Sequence, residues 1–462
     1  MKPLRFGFVL DDMCLQGDIP NTSYWPNKLC SMFNASKTYF YCAPGGTGYK
    51  LVDAVNSGKI TEALNANIDI LICHLGVFDM FSETPDAAGA DAACKEIIRQ
   101  CQNAGTKVLF IDYGRCQPVI ENHGGWCFNN IKVVHDYFVN VNEEFPDDMA
   151  HSDLWWAHQL QWRSDTGYWR SDGVNYTLSG HHFVADRLRG AILPLVQHFS
   201  NEKFVTYACI GDSWTDTDTC VNAFDHWTRL VGDGIGAKLV CDASVGGWTV
   251  EGLYNNQLIM GDVDQITWAL SKHPDMIFTT IGGNDTWSGY KPETKTRMRT
   301  VINRLIDGGV KKILWSFYAQ IGWAELVASN PQYQSVSELK SRFEKLRTAC
   351  WELAAEFPEF VVFNDGGMGE TQLDYSLHPE NYNNGADTVH PHNQGWTYLS
   401  PYLINAFRPT YNSLRDTMNK PKINFGTESE WLGNEESNPY IQIGTDKLCT
   451  PFRRKKRSIM SN

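Results

Sequence analysis

Five residues of the first half recur in the second half at one constant offset. Ile60, Thr61, Ala63, Leu64 and Asp69 match Ile266, Thr267, Ala269, Leu270 and Asp275. Lys107-Val108-Leu109 matches Lys312-Ile313-Leu314, each after a helical stretch ending in glycine, Gly105 and Gly309. Asp172-Gly173-Val174-Asn175 with Gly180 matches Asp387-Thr388-Val389-His390 with Gly395. Any two units of mixed helix and strand share apolar patterns, but polar identities kept in order at one offset need a further cause. The expectation is a tandem duplication, so the chain has to fold twice on one plan.

The plan itself is readable. Arg5 to Leu10, Asp69 to Leu75 and Lys107 to Asp112 are short apolar runs of strand length. Ile60 to Asn65 and Asp91 to Asn103 carry helical patterns. Strand and helix in alternation predict βαβ units, hence an α/β fold with parallel central sheets covered by helices on both faces. The expected organisation is a first domain over 1–200, a second over 201–412, and a polar tail over 413–462. A helix from Gly190 to Phe199 closes the first, and Asn201-Glu202-Lys203 is a polar joint. The tail ends in Arg453-Arg454-Lys455-Lys456-Arg457, read as a solvated end; a docking patch for an assembly partner is the alternative.

Composition removes several classes of function. A formal net charge of −13 is opposite to the basic footprint that phosphate binding needs, so nucleic acid is not the expected partner. No stretch approaches the ~20 apolar residues of a membrane span. The opening MKPLRFGFVLDDM does not read as a secretory leader, because its apolar run is short and leads into acidic residues. The 13 cysteines are scattered and never spaced Cys-x-x-Cys, so neither a zinc site nor a disulfide framework is expected. Cys73 and Cys209 sit in apolar runs, where a reduced thiol packs as a small hydrophobe. The expected setting is cytoplasmic, or inside an assembly such as a virus particle.

The chemistry concentrates in the second half. Tyr207 to Asp216 reads YACIGDSWTD: an apolar run, a glycine, then a serine where the chain turns polar. That is how a buried strand delivers a nucleophile to its C-terminal edge. Alone, Gly-Asp-Ser recurs by chance. Here it is followed by Asp242-Ala243-Ser244-Val245-Gly246-Gly247-Trp248-Thr249, by Gly282-Gly283-Asn284-Asp285 after the run Met276 to Ile281, and by Asp387-Thr388-Val389-His390. Acyl transfer needs a nucleophile, a base and an acid that fixes the base's tautomer; Ser213, His390 and Asp387 supply these types. It also needs donors aimed at a developing oxyanion, for which the Ser213 N–H, the Gly247 N–H and the Asn284 side chain are candidates. Gly246 competes with Gly247, and His392 with His390, although the Asp387 spacing favours His390.

With these four blocks in order, residues 205–400 resemble the SGNH, or GDSL-type, hydrolase superfamily. Trp214 departs from the common signature, which has leucine there. The resemblance implies a three-layer α/β/α fold and ester hydrolysis through a Ser-His-Asp triad without metal or other cofactor. The first half keeps the frame without these residues. Asp12 aligns with Ser213, Phe78 with Asn284 and Asn175 with His390. Asparagine does not accept a proton at neutral pH and phenylalanine does not donate to an oxyanion, so a pseudoenzyme domain is expected. Asp11, Asp12 and Asp172 are more simply unpaired surface carboxylates than a metal site.

Trp214, Trp248 and Trp287 stand within a few residues of the motifs and are candidate substrate contacts; Trp396 reads as core. Aromatics around a cleft suit sugar rings, so the expected substrate is an acetyl-type O-ester on a glycan. A lipolytic or thioester hydrolase is the competing enzyme. A structural or glycan-binding component of a larger assembly is the competing non-enzyme.

Overall fold

The computed structural model of the chain describes residues 3–11, 20–44, 48–80, 86–114, 125–157, 160, 167–170, 175–200, 203–217, 220, 222–259, 261–287, 289–329, 335–368, 371–382, 388–419, 441–443 and 446–448. Asp12, Asp172, Asp387 and the basic run 453–457 lie outside these residues.

Among the described residues, ten strands build two parallel sheets. The first contains β1 (Arg5–Leu10), β2 (Ser36–Cys42), β3 (Ile70–His74), β4 (Lys107–Phe110) and β5 (Met149–His151), in the order β2-β1-β3-β4-β5. The second contains β6 (Thr206–Gly211), β7 (Lys238–Asp242), β10 (Met276–Thr280), β11 (Lys312–Ser316) and β12 (Val361–Asn364). Its order, β7-β6-β10-β11-β12, is the same. A two-stranded ladder of β8 (Leu258–Ile259) and β9 (Val263–Asp264) lies beside it in sequence.

Each sheet is a middle layer, because both faces of its strands are apolar. In the first sheet Phe6, Phe8, Ile70 and Ile72 join Trp25, Leu29 and Leu188 in one core. Val9, Leu71 and Cys73, on the opposite face, join Ile60, Ile97 and Phe138. In the second, Phe278 stacks on Tyr207 with ring centres 4.3 Å apart and meets Trp227 and Phe407 on the same face. Ile210, Thr279 and Ile313 turn the other way, toward Val250, Leu253 and Met298. The α/β class and the parallel sheets expected from the alternation are therefore present. The helix expected from Gly190 starts earlier, at Leu178, where the Thr177 hydroxyl caps the Gly180 N–H. It packs on β4 and β5 of the first sheet and on β7 of the second.

Met1–Tyr411 form one compact unit that holds both sheets. Of the second unit, Asn412–Asn462, the described parts are the end of the Asn393–Met418 helix and the antiparallel pair β13 (Ile441–Ile443) and β14 (Asp446–Leu448).

The two sheets share more than strand order. The Asp69 carboxylate accepts from the Arg5 N–H at 2.8 Å, and Asp275 from the Thr206 N–H at 2.9 Å. Asp79 accepts from the Leu51 N–H at 3.0 Å, and Asp285 from the Val250 N–H at 2.8 Å. The Tyr113 hydroxyl donates to Asp11, and the Tyr318 hydroxyl to Asp212. Left-handed backbone recurs as well: Gly48 and Gly247 at φ 59° and 77°, Asn67 and His273 at 59° and 48°, Gly76 and Gly282 at 107° and 108°.

Candidate active site

Strand β6 ends at Gly211, whose φ of 142° suits only glycine; a Cβ there would meet the Thr280 carbonyl at 2.4 Å. The chain then turns, and several side chains fix the turn. The Thr215 hydroxyl accepts from the Thr280 N–H at 2.8 Å and donates to the Thr280 carbonyl at 3.1 Å. The Asp212 carboxylate accepts from the Trp214 N–H at 3.0 Å and from the Tyr318 hydroxyl. That hydroxyl accepts in turn from the Gly283 N–H at 2.7 Å. Burial pushes the Asp212 carboxyl up to about 7, against the pull of these two hydrogen bonds.

The half-buried Ser213 sits on this turn, and its hydroxyl lies 2.7 Å from Nε2 of His390. His390 enters from the segment before the Asn393–Met418 helix, where the Thr388 carbonyl is held by the Gly322 N–H at 2.8 Å. Asp387 lies outside the described residues. His392 is engaged elsewhere: its Nδ1 accepts from the Gln394 N–H at 3.0 Å, at the start of that helix.

The 243–249 loop lies against the serine turn. The Gly246 N–H is bound to the Asp216 carboxylate at 2.9 Å. Neither the Gly247 N–H nor the Ser213 N–H has an acceptor among the described residues. Asn284 donates one amide hydrogen to the Trp248 carbonyl at 2.8 Å and accepts from the Trp287 indole at 2.9 Å. Its second amide hydrogen has no acceptor among the described residues. Asp285, whose carboxyl is raised by burial, ties this segment to the loop through the Val250 N–H.

The tryptophans divide. Trp214 is 1% exposed, with its ring edge-on to Tyr318 and Trp396 at 5.2 Å each. This corrects its reading as a substrate contact: the tight turn that exposes Ser213 drives the next side chain into the core. Trp396 is fully buried with it. Trp248 and Trp287 are half-buried. In the first half, Asp11 is buried and bonded to His74 and Tyr113, not a surface carboxylate. Among the described residues no group of three or more His, Cys, Asp or Glu is placed to hold a metal ion, and no helix is long and apolar enough to cross a membrane.

Tyr318, Asp216, Thr215 and Gln265, which brackets Gly211, were not singled out by the motifs. Tyr318 alone had a usable signal. The match of Lys107 to Leu109 with Lys312 to Leu314, carried past the strands, aligns it with Tyr113.

A parallel sheet that presents a serine to a histidine beyond its C-terminal edge is the ground plan of a hydrolase. Residues 209–396 match the GDSL-like lipase/acylhydrolase family. That part of the chain belongs to this family, within the SGNH superfamily, and the protein is a carboxylic ester hydrolase. No curated protein matches the sequence. Among solved structures, the psychrotrophic esterase EstA from Pseudoalteromonas sp. is similar at 12% identity, covering 45% of this chain and 99% of that one, with a TM-score of 0.33. The acetyl xylan esterase AlAXEase is similar at 18% identity, covering 41% and 100%, with a TM-score of 0.32. A family two carbohydrate esterase from Cellvibrio japonicus is similar at 15% identity, covering 46% and 64%, with a TM-score of 0.33.

Proposed function

We propose that the second half hydrolyses small acetyl-type O-esters, carried on carbohydrate, with Ser213 as nucleophile, His390 as base and Asp387 as the group that orients it. The observation that carries this reading is the 2.7 Å hydrogen bond between Ser213 and His390. Ser213 Oγ attacks the ester carbonyl while His390 Nε2 takes its proton. The Ser213 N–H, the Gly247 N–H and the spare Asn284 hydrogen receive the oxyanion. Collapse expels the sugar hydroxyl, which leaves with the proton from His390. Water then adds to the acetyl-serine by the same route and releases acetate. Half-buried Trp248 and Trp287 beside these donors offer faces to a sugar ring. The same strand order, carboxylate contacts and left-handed positions in both sheets support a tandem duplication, with Phe78 and Asn175 marking the first copy as non-catalytic. An assembly partner for that copy or for the basic tail belongs to the same proposal.

The test is hydrolysis of nitrophenyl acetate, butyrate and octanoate by wild type and by Ser213→Ala, with matched melts as folding controls. Acetate cleaved fastest by wild type, and no turnover by the variant, is the expected result. Faster cleavage of octanoate transfers the assignment to a lipolytic enzyme. Equal inertness of both proteins refutes the catalytic reading and favours a glycan-binding or structural role.

A further inference from the structure

The backbone of Gly211 is completed by a side chain. Strand β6 pairs with β10 as far as Gly211, opposite Thr280, but its pairing with β7 stops at Cys209, opposite Asp242. Gln265, fully buried, fills the gap together with the Val245 N–H, which also donates to the Gly211 carbonyl at 3.1 Å. Its Oε1 accepts from the Gly211 N–H at 2.8 Å and its Nε2 donates to the Gly211 carbonyl at 3.1 Å. A primary amide offers a donor and an acceptor side by side, the complement of a peptide group. Gln265 therefore serves as a one-residue strand, two positions ahead of Ser213.

The helix that carries it, Gln265–Ser271, is held by the first half of the chain. The Trp268 indole donates to the Asp153 carboxylate at 3.2 Å, and Lys272 pairs with the same oxygen at 2.7 Å. Trp156 meets the Trp268 ring edge-on at 5.6 Å. The Trp155 indole donates to Asp262 at 3.1 Å, just before the helix. Burial raises the Asp153 carboxyl, but Lys272 and His151 outweigh it and keep the group ionised. All four contacts leave 153–156 and land on 262–272.

A second tie reaches the loop that carries Gly247. Arg229 is fully buried between Asp186, at 2.6 Å, and Asp242, at 2.7 Å. Arg187, beside Asp186 on the Leu178–Phe199 helix, donates to the Asp242 carbonyl at 2.6 Å. Asp242 in turn accepts from the Ser244 N–H at 3.1 Å.

We propose that the first half of the chain is a positioning partner of the second, holding the Gln265–Ser271 helix and, through Gln265, the end of β6 in the register that presents Ser213. The consequence for catalysis rests on the reading of Ser213 as nucleophile; the mechanical tie does not. Gln265 and Trp268 are positioning residues, since neither touches the reacting atoms.

The experiment uses the full chain, with Trp268→Phe, which keeps the ring and loses its N–H; Gln265→Met, which keeps the length and loses the amide; and the double variant. Asp153→Asn is the second route to the same tie. Hydrogen exchange over 206–216 is expected to speed up by about tenfold or more in each variant. On nitrophenyl acetate, kcat is expected to fall between about tenfold and a hundredfold, with KM within about twofold. The double variant is expected to be no worse than Gln265→Met, because both act through one contact. Unchanged exchange over 206–216 in Trp268→Phe and Asp153→Asn, multiplicative losses in the double variant, or a lowered melting temperature alone would overturn the proposal. Exchange does not depend on turnover. A wild type that cleaves no ester thus refutes the esterase reading while the exchange result still decides the tie.

Discussion

Replacing Tyr318 with phenylalanine tests whether the serine turn is braced as described. The substitution keeps the ring between Trp214 and Phe343 and removes one oxygen. That oxygen serves two buried groups, the Asp212 carboxyl and the Gly283 N–H. A buried polar group left without its partner costs about 1–3 kcal/mol, so with two such groups Tyr318→Phe should lose about 2–6 kcal/mol in urea denaturation. The loss should also depend on pH. Burial raises the Asp212 carboxyl from an ordinary 3.8 to about 7. Between those values the fold holds a proton that the unfolded chain has released. The stability linked to this group is therefore complete below 3.8 and declines as pH rises through about 7, by roughly 4 kcal/mol at most. Without the hydroxyl, the ionised carboxyl loses a hydrogen bond that favours it, its pKa climbs further, and the decline continues to higher pH. The gap between wild type and variant should thus be wider at pH 8 than at pH 5. A loss below about 1 kcal/mol would refute the shared brace. A gap that is equal or narrower at pH 8 would refute the assignment of the carboxyl.

Three further substitutions probe separate parts of the site. Asn284→Ala should lower kcat on nitrophenyl acetate about 10²–10³-fold with little change in KM, and an unchanged kcat would remove Asn284 from the oxyanion site. Arg229→Met takes from Asp186 and Asp242 the cation they share, leaving each one flanking arginine, Arg189 at 3.1 Å and Arg187 at 3.3 Å, and should cost about 3–5 kcal/mol by urea denaturation; a loss below about 1 kcal/mol would show that the flanking arginines suffice. Gly282→Ala places a Cβ 2.7 Å from Leu346 at φ 108°, whereas Gly76→Ala at φ 107° meets nothing nearer than 3.4 Å. Thermal melts should therefore show a larger loss for Gly282→Ala, by about 1–3 kcal/mol of overpacking.

The fold was legible wherever the sheet interior writes an apolar run. Strands β1, β3, β4, β6 and β10 fall on the runs that suggested them, because a strand covered on both faces leaves no polar positions to blur the pattern. The edge strands of the first sheet were not visible. β2 reads SKTYFYC and is exposed or half-buried throughout, and β5 has only three residues. Of the candidate site, Ser213, Gly246, Gly247 and Asn284 were locatable as residues that end strands or open loops. What each backbone donor binds was not, since the Gly246 N–H is taken by Asp216 through a contact thirty positions away. Trp214 was misplaced for a related reason: adjacency in sequence to an exposed serine says nothing of direction in a tight turn. Gln265 carries no motif at all, because a glutamine that completes a strand differs from a solvated one only in its neighbours.

The likeness between the two halves is unevenly distributed, and its distribution follows cost. Where the halves agree, the shared groups are carboxylates at the strand starts and sheet edge, each in contact with a backbone N–H or a tyrosine hydroxyl: Asp69 and Asp275, Asp79 and Asp285, Asp11 with Tyr113 and Asp212 with Tyr318. Where they differ, at Phe78 against Asn284 and Asn175 against His390, the positions are half-buried, as Asp69 and Asp285 are, but hold no carboxylate. Removing one partner of a hydrogen-bonded carboxylate, most of all a buried one such as Asp11, Asp79, Asp212 or Asp275, destabilises the unit. Exchanging a half-buried side chain on which no carboxylate depends removes chemistry and leaves the fold intact. On the proposed duplication, a copy released from catalysis sheds its base and its oxyanion donor while keeping its polar frame. In the same proposal, the frame kept in the first half is what lets Asp153 and Asp186 hold Trp268, Lys272 and Arg229 of the second.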